Sequence, residues 1–436
     1  MNVKDDPLLH WHEGLAPGQR RRDGELTVGG VSAGELAETY GTPLLAIDFD
    51  VLDAAIAEFR AACEPHGVEI AYAGKALLLV ALARHLVATP LSVDVCSIGE
   101  LVTAERAGFP AERIALHGCG KTGEELAAAV AGRVGTMIVD NADELRRLAD
   151  AAAGARPLPV VLRINTGIEA HTHAFVRTGG DKTKFGISPD GLDEPAQILR
   201  SAPNLQFAGL HSHIGSQIYE GAAFVENARA LVRVAAGLDR LGFVSERLIV
   251  GGGFGVQMDP GDGAALNLKA TIAGIASAVA EEAWATGVRV PRLGIEPGRA
   301  LIAHAGTSVY RVVAVKRQFG RPFVVVDGSI ADNPRPALYG AYHHPILASR
   351  ESPATQQTVL CGRSCENDEI VVAPLPTDVQ PDDLIAICTT GAYTYSMSSN
   401  YNRFVRPAVV AVQSGRHRPI AKRETIDDVL RNDCDA

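Results

Sequence analysis

The chain has 436 residues, 47% hydrophobic and 21% charged, the balance of an ordinary soluble globular protein long enough for two domains. A net charge of −10, with Arg20, Arg21 and Arg22 as the only basic cluster, argues against nucleic acid as a partner, and that cluster reads as a solvated segment. No apolar run reaches membrane-spanning length, the first residues lack a secretory hydrophobic core, and seven cysteines without a CxxC pair fit reduced thiols in a cytoplasmic protein.

Up to about residue 46 the chain carries two strand-like pieces, "GELTVGG" and "PLLAID". From residue 68 short strand-like runs alternate with alanine-rich helical stretches. The runs cover 68–74, 92–96, 113–117, 136–140, 159–165, 206–212, 246–250 and 292–296. Ser97 and Asn141 stand where helix N-caps belong. Eight strand–helix units predict a (β/α)8 TIM-like barrel over residues 47–306, with a doubly wound open sheet as the alternative. Beyond residue 307 the pattern changes to strands such as "RPFVVVDG", "DEIVVAPL" and "RPAVVAVQSG", joined by Gly, Pro and Asp turns. Residues 307–436 therefore predict a β-sandwich or β-barrel domain, to which residues 1–46 add strands.

The first barrel strand ends in "YAGKALLL", which places Lys75 where a strand hands over to a helix. A lysine there can snorkel to solvent, or it can be a nucleophile. Barrel chemistry sits at the C-terminal ends of the strands. Asp94 and Ser97 follow strand two, His117 strand three, and Arg163 ends strand five. His211 and His213 follow strand six, "GGGFG" (251–255) strand seven, and "EPGR" (296–299) strand eight. Each signal is weak alone: a lone His213 is more often a core residue, and Glu296 before a proline can be a turn carboxylate. Together, a glycine cradle after strands seven and eight, an isolated lysine and a carboxylate suggest pyridoxal 5'-phosphate (PLP). In that reading the lysine makes a Schiff base and the carboxylate pairs with the ring nitrogen. No His, Cys, Asp or Glu spacing suggests a metal.

The motifs "YAGKA" (72–76), "DVCSIGEL" (94–101), "GIEAHTH" (167–173), "KFG" (184–186), "HSHIGSQI" (211–218), "GGGFG", "EPGR", "VDGSIADNPRPALYGA" (326–341), "CEN" (365–367) and "GAYTYSMSSNYNRFVRP" (391–407) resemble the barrel-type, alanine-racemase-like (fold type III) PLP-dependent decarboxylases. "GIEAHTH" and "DNPRPALYGA" are similar to the diaminopimelate-acting branch. The resemblance implies decarboxylation of meso-2,6-diaminopimelate to L-lysine and CO2, the last step of lysine biosynthesis. It implies Lys75 as the cofactor lysine, with His213 stacked on the ring. Ser216, Gly252, Gly253, Glu296, Gly298 and Tyr393 would hold the cofactor, Glu296 at the ring nitrogen. Arg299, Arg335 and Tyr339 would bind the distal carboxylate. Cys365, as proton donor, and Glu366, at the distal ammonium, would come from the second subunit of a homodimer. Arginine forks suit carboxylates and a glutamate suits an ammonium.

The chain departs from the family pattern in places. Asn367, Asp368 and Glu369 follow the Cys–Glu pair in place of serine, glycine and aspartate; Asp368 reads as an added acid at the site lip. Cys119 and Gly120 replace two asparagines, and Ser329 replaces a glycine. These departures leave open a same-fold decarboxylase acting on another or carrier-bound amino acid in a secondary-metabolite pathway. A racemase needs a second base opposite the cofactor, usually a β-domain tyrosine, and the Cys365–Glu366 pair favours decarboxylation. A non-enzymatic PLP carrier would have no need of the β domain, which occupies about 130 residues.

Overall fold

A computed structural model describes residues 6–168, 183–263, 265–352 and 356–434. Glu169 to His173 of the "GIEAHTH" stretch lie outside the described residues. The chain divides into two compact units. One comprises Glu58–Val256 and Ala265–Ala300; the other comprises Met1–Ala57, Gln257–Ala264 and Leu301–Ala436.

The second of these begins with a small antiparallel sheet of β1 (Gln19–Arg22), β2 (Glu25–Val28) and β3 (Val31–Ser32). The basic cluster lies on β1. There Arg21 is only half-exposed and donates to the carbonyls of Gly24, Leu347 and Arg350, so it ties loops together. Strand β4 (Leu44–Asp48) follows, fully buried.

The barrel unit holds β5 (Glu69–Ala73), β6 (Ser92–Val95), β7 (Ile114–Leu116), β8 (Thr136–Val139), β9 (Leu158–Arg163), β10 (Leu205–His211), β11 (Arg247–Ile249) and β12 (Arg292–Ile295). All are parallel and pair in chain order, and β12 closes the ring on β5 through Gly294↔Glu69 and Ile295↔Ile70. The closed (β/α)8 barrel is thus present and the open-sheet alternative is set aside. Closure rests on pairing between the first and last strands, which no local periodicity reports. The strands read as short apolar runs because crossover helices bury their outer faces while the lumen buries the inner ones. Ile138, Val161 and Ile249 form one cluster of this packing. Two helices start at the caps that the sequence placed. The Ser97 side chain accepts from the Glu100 N–H at 3.2 Å, and Asn141 accepts from the Glu144 N–H at 2.8 Å.

The other unit is sheet-rich. Its later strands are β13 (Gly306–Gln318), β14 (Arg321–Val326), β15 (Pro345–Leu347), β16 (Gln356–Cys361), β17 (Glu369–Leu375), β18 (Leu384–Ile387), β19 (Ala408–Gln413) and β20 (Arg416–Ala421). With β4 they form one nine-stranded sheet, in which β4 lies between β13 and β19. An N-terminal strand therefore does join the C-terminal β domain. Two apolar clusters anchor it. One gathers Leu26, Val28, Leu36, Leu44, Val309 and Val410; the other gathers Tyr310, Val324, Leu360 and Ile385.

Candidate active site

Each barrel strand delivers its last residues to one rim. Lys75 stands in a single turn, Gly74–Ala76, directly after β5, and it is exposed there. Gly74 permits this turn because a Cβ would come within 2.7 Å of the Asp94 carbonyl.

Below the rim four side chains converge. His211 Nε2, at the end of β10, lies 2.9 Å from Glu296 Oε2. His117 Nε2, just past β7, lies 3.2 Å from Glu296 Oε1 and 3.6 Å from Asp94 Oδ1 of β6. The two imidazoles meet edge to face, 5.1 Å between centroids. All four are well buried. Burial alone would neutralise them, but the pairing overrides it for two. Burial raises the Glu296 carboxyl, yet His211 and His117 together hold it well below the ordinary carboxylate range. Burial lowers His117, yet Glu296 and Asp94 raise it to about 9. Burial and the neighbouring Glu296 push Asp94 up to about 6, opposed by His117 and Lys75. Burial takes His211 down to about 4 in spite of Glu296. At neutral pH the set is therefore a carboxylate pair, one imidazolium and one neutral imidazole. The sequence placed Asp94, His117 and His211 at the active rim without a role. Their mutual contact comes from barrel closure, and strand-end position is the one signal that pointed to it. The donor atoms of His117, His211 and Glu296 lie within 4.8 Å of one another, a grouping that sequence spacing does not disclose.

His213 is half-buried, and its Nδ1 accepts the Gly252 N–H at 3.2 Å. Burial, with Lys75 and Arg163 adding to it, lowers this imidazole well below its usual range. The glycines after β11 are explained by backbone proximity. A Cβ on Gly252 would stand 2.0 Å from the Glu296 carbonyl, and one on Gly253 would stand 2.1 Å from the Gly215 carbonyl. Gly298 backs onto Ala73, where an added Cβ would stand 3.0 Å from the Ala73 Cβ. Among the described residues, the N–H groups of Gly253 and Gly298 find no protein acceptor. Ser216 Oγ accepts weakly from Arg299 Nη2 at 3.3 Å, and Arg299 is buried.

Arg163 ends β9, 3.8 Å from Asp140 and with its guanidinium 4.5 Å from the centroid of Phe185. Asp140 also accepts the Gly186 N–H at 3.2 Å, which ties the "KFG" stretch to the barrel.

In the sheet-rich unit, the Arg335 guanidinium lies 5.1 Å from the Tyr339 ring centroid and 5.5 Å from that of Tyr393. Cys365 and Glu366 are exposed. The Cys365 N–H donates to Asn402 Oδ1 at 2.9 Å, and the Tyr401 hydroxyl donates to Glu366 Oε1 at 2.5 Å. Asp368 is not an acid on a lip. It is buried, and its carboxylate accepts the N–H groups of Ile330 at 2.8 Å and Ser364 at 2.9 Å. Its backbone sits at φ +49°, the region where the family's glycine would be at ease.

The barrel's donor set fits PLP. An ionised buried carboxylate suits a protonated pyridine nitrogen, two free backbone N–H groups suit a phosphate, and an exposed lysine stands on the same rim. A closed barrel with this rim, joined in one chain to a sheet-rich unit, defines a PLP-dependent decarboxylase of the barrel type. Residues 51–303 match the family model described as "Pyridoxal-dependent decarboxylase, pyridoxal binding domain". The chain is 43% identical to a diaminopimelate decarboxylase of Actinosynnema pretiosum subsp. auranticum, over 99% of this chain and 98% of that protein. It is 41% identical to a diaminopimelate decarboxylase of Bacillus subtilis, over 95% and 96%. The solved diaminopimelate decarboxylase of M. jannaschii in co-complex with L-lysine superposes with a TM-score of 0.88 at 29% identity, covering 96% of this chain and 98% of that one. The chain belongs to the pyridoxal-dependent decarboxylase family, and within it to the diaminopimelate decarboxylases.

Proposed function

We propose that the chain removes CO2 from meso-2,6-diaminopimelate and leaves L-lysine, using PLP. The observation that carries this reading is the ionised Glu296, held by His117 and His211 beneath a rim that carries Lys75, in a chain so similar to diaminopimelate decarboxylases. Bound PLP supplies the electron sink that accepts the electron pair left behind when CO2 departs.

The remaining work falls to the protein. Lys75 would carry the cofactor covalently, and Glu296 would face its ring nitrogen. His213 would stack on the ring; its Nδ1 is already occupied by the Gly252 N–H, which fixes the plane of the imidazole. Gly252, Gly253, Gly298, Ser216 and Tyr393 would hold the phosphate end. Arg299, Arg335 and Tyr339 would recognise the substrate's distal carboxylate, the arginines through the guanidinium fork. Glu366 would recognise the distal ammonium, and the Cys365 thiol would deliver one proton to the carbon that lost CO2. The exposure of Cys365 and Glu366 supports their serving a second copy in a homodimer. Among the described residues no helix is long and apolar enough to cross a membrane.

The test is made on purified protein with added PLP. Its visible spectrum should show a lysine-bound cofactor band, and meso-diaminopimelate should yield CO2 and L-lysine in equal amounts. Lys75→Ala should abolish both. A cofactor band without lysine formation would reject the substrate, and unchanged CO2 release in Lys75→Ala would reject the mechanism.

A further inference from the structure

We infer that His117 is a positioning residue for the cofactor: its single Nε2 bridges Glu296 and Asp94, so that two buried carboxylates are presented to the cofactor ring as one set. This inference rests on the PLP reading of the barrel rim. The geometry is asymmetric. Nε2 lies 3.2 Å from Glu296 Oε1 and 3.6 Å from Asp94 Oδ1, and it has hydrogen-bond geometry toward neither, so it meets both carboxylates through Coulombic contact. His211 takes the other carboxylate oxygen at 2.9 Å. Glu296 is thus hydrogen-bonded at one oxygen by His211 and faced at the other by the His117 imidazole, while Asp94 approaches from a third strand. Other charged or titratable groups that act on the set include Lys75 after β5, Cys96 after β6, Arg163 at the end of β9 and His213 after β10.

Stability alone does not account for this arrangement. Burying two carboxylates near one another costs desolvation and repulsion, and an apolar replacement of a buried ionic group is commonly neutral or stabilising. The cost has a use if the set must carry a net negative charge toward a cationic ring. With Asp94 and Glu296 ionised and His117 charged, that net charge is minus one, which a protonated pyridine neutralises. His117 then determines how much negative charge the ring meets, and so how firmly the bound cofactor keeps its protons.

The experiment follows the absorption band of the PLP-loaded protein as a function of pH, without any amino-acid substrate, in the wild type and in His117→Gln, Asp94→Asn and the double variant. His117→Gln removes a positive charge and should move the band's transition to higher pH. Asp94→Asn removes a negative charge and should move it to lower pH. Each shift should be on the order of half a pH unit or more, the size expected of one charge at close range in a protein interior. The double variant should return toward the wild type. Transitions that stay in place, or that move in one direction for both single variants, would overturn the inference. A merely structural role would lower the unfolding temperature without opposed spectral shifts. If His117→Gln does not fold or load PLP, Asp94→Asn alone decides by the direction of its shift. Because no substrate is present, failure to act on meso-diaminopimelate would overturn the substrate reading and leave this result standing.

Discussion

Asp368 shows how one side chain can replace a backbone preference. A glycine would reach φ +49° without penalty, whereas an L-residue there costs about 1 kcal/mol or more. The aspartate offsets that cost by accepting two partly buried N–H groups, from Ile330 and Ser364, each such charge-assisted bond contributing up to about 1.5–3 kcal/mol. Its neighbour Gly362 leaves the space, since a Cβ there would lie 2.4 Å from Asp368 Oδ2. Asp368→Gly should therefore relieve the backbone yet loosen the loop from Gly362 to Asp368, destabilising the protein by roughly 1–3 kcal/mol. Limited proteolysis should cut between residues 362 and 368 faster in the variant, and KM should rise more than kcat falls, because Glu366 sits on this loop. Equal proteolysis rates in the two proteins would show that the carboxylate is not what holds the loop.

At the level of elements, the rim is built by close approach of the segments after β10, β11 and β12. Glu296 N–H donates to the Gly251 carbonyl at 2.9 Å, and the Gly252 α-carbon faces the Glu296 carbonyl so closely that a Cβ would stand 2.0 Å away. Gly252→Ala must push these two segments apart. We expect PLP affinity to fall tenfold or more, measured by equilibrium dialysis of the loaded protein, while far-ultraviolet circular dichroism keeps the barrel's signature. Wild-type affinity would show that the gap absorbs a methyl group. The same strand ends show how far the sequence could be read. The eight strands were legible because parallel barrel strands, buried on both faces, leave short apolar runs with glycine or polar stops. Ser97 and Asn141 were legible because capping is local. Closure of β12 on β5, and the meeting of His117 with Glu296 across 179 positions of sequence, were not legible, because both depend on pairing between distant strands. Asp368 was misread because one of the two N–H groups its carboxylate accepts comes from Ile330, which its own sequence neighbourhood does not report.

Across the whole molecule, buried acids set how stability follows pH. Burial raises the Asp48 carboxyl from 3.8 to about 7, although the N–H groups of Val51 and Asp50 at the start of the following helix oppose it. Burial likewise raises Asp332 to about 6, as it does Asp94. For such a group the unfolded chain ionises first, so between about pH 4 and the folded value the unfolded state binds fewer protons and stability falls as pH rises. His117 extends the decline. Its folded value of about 9 lies above the ordinary 6.5, so the stability it contributes is complete below 6.5 and is lost as pH rises through 9. Glu296 acts in the opposite sense, its contribution being present above the ordinary carboxylate value and lost as pH falls. His211, held down at about 4, and His213, held well below its usual range, gain stability as pH rises toward 6.5, so the net decline of the cofactor-free protein should set in above pH 6.5 and continue toward pH 9. Asp48→Asn isolates one contribution, because an amide keeps the oxygen that accepts the Asp50 N–H at 2.9 Å and cannot ionise. The variant should match the wild type near pH 4 and exceed it at pH 8 by roughly 1–3 kcal/mol, read from denaturant midpoints at the two pH values. An equal difference at both would mean that the gain comes from packing or hydrogen bonding, and that Asp48 ionises in the folded protein as it does in the unfolded chain.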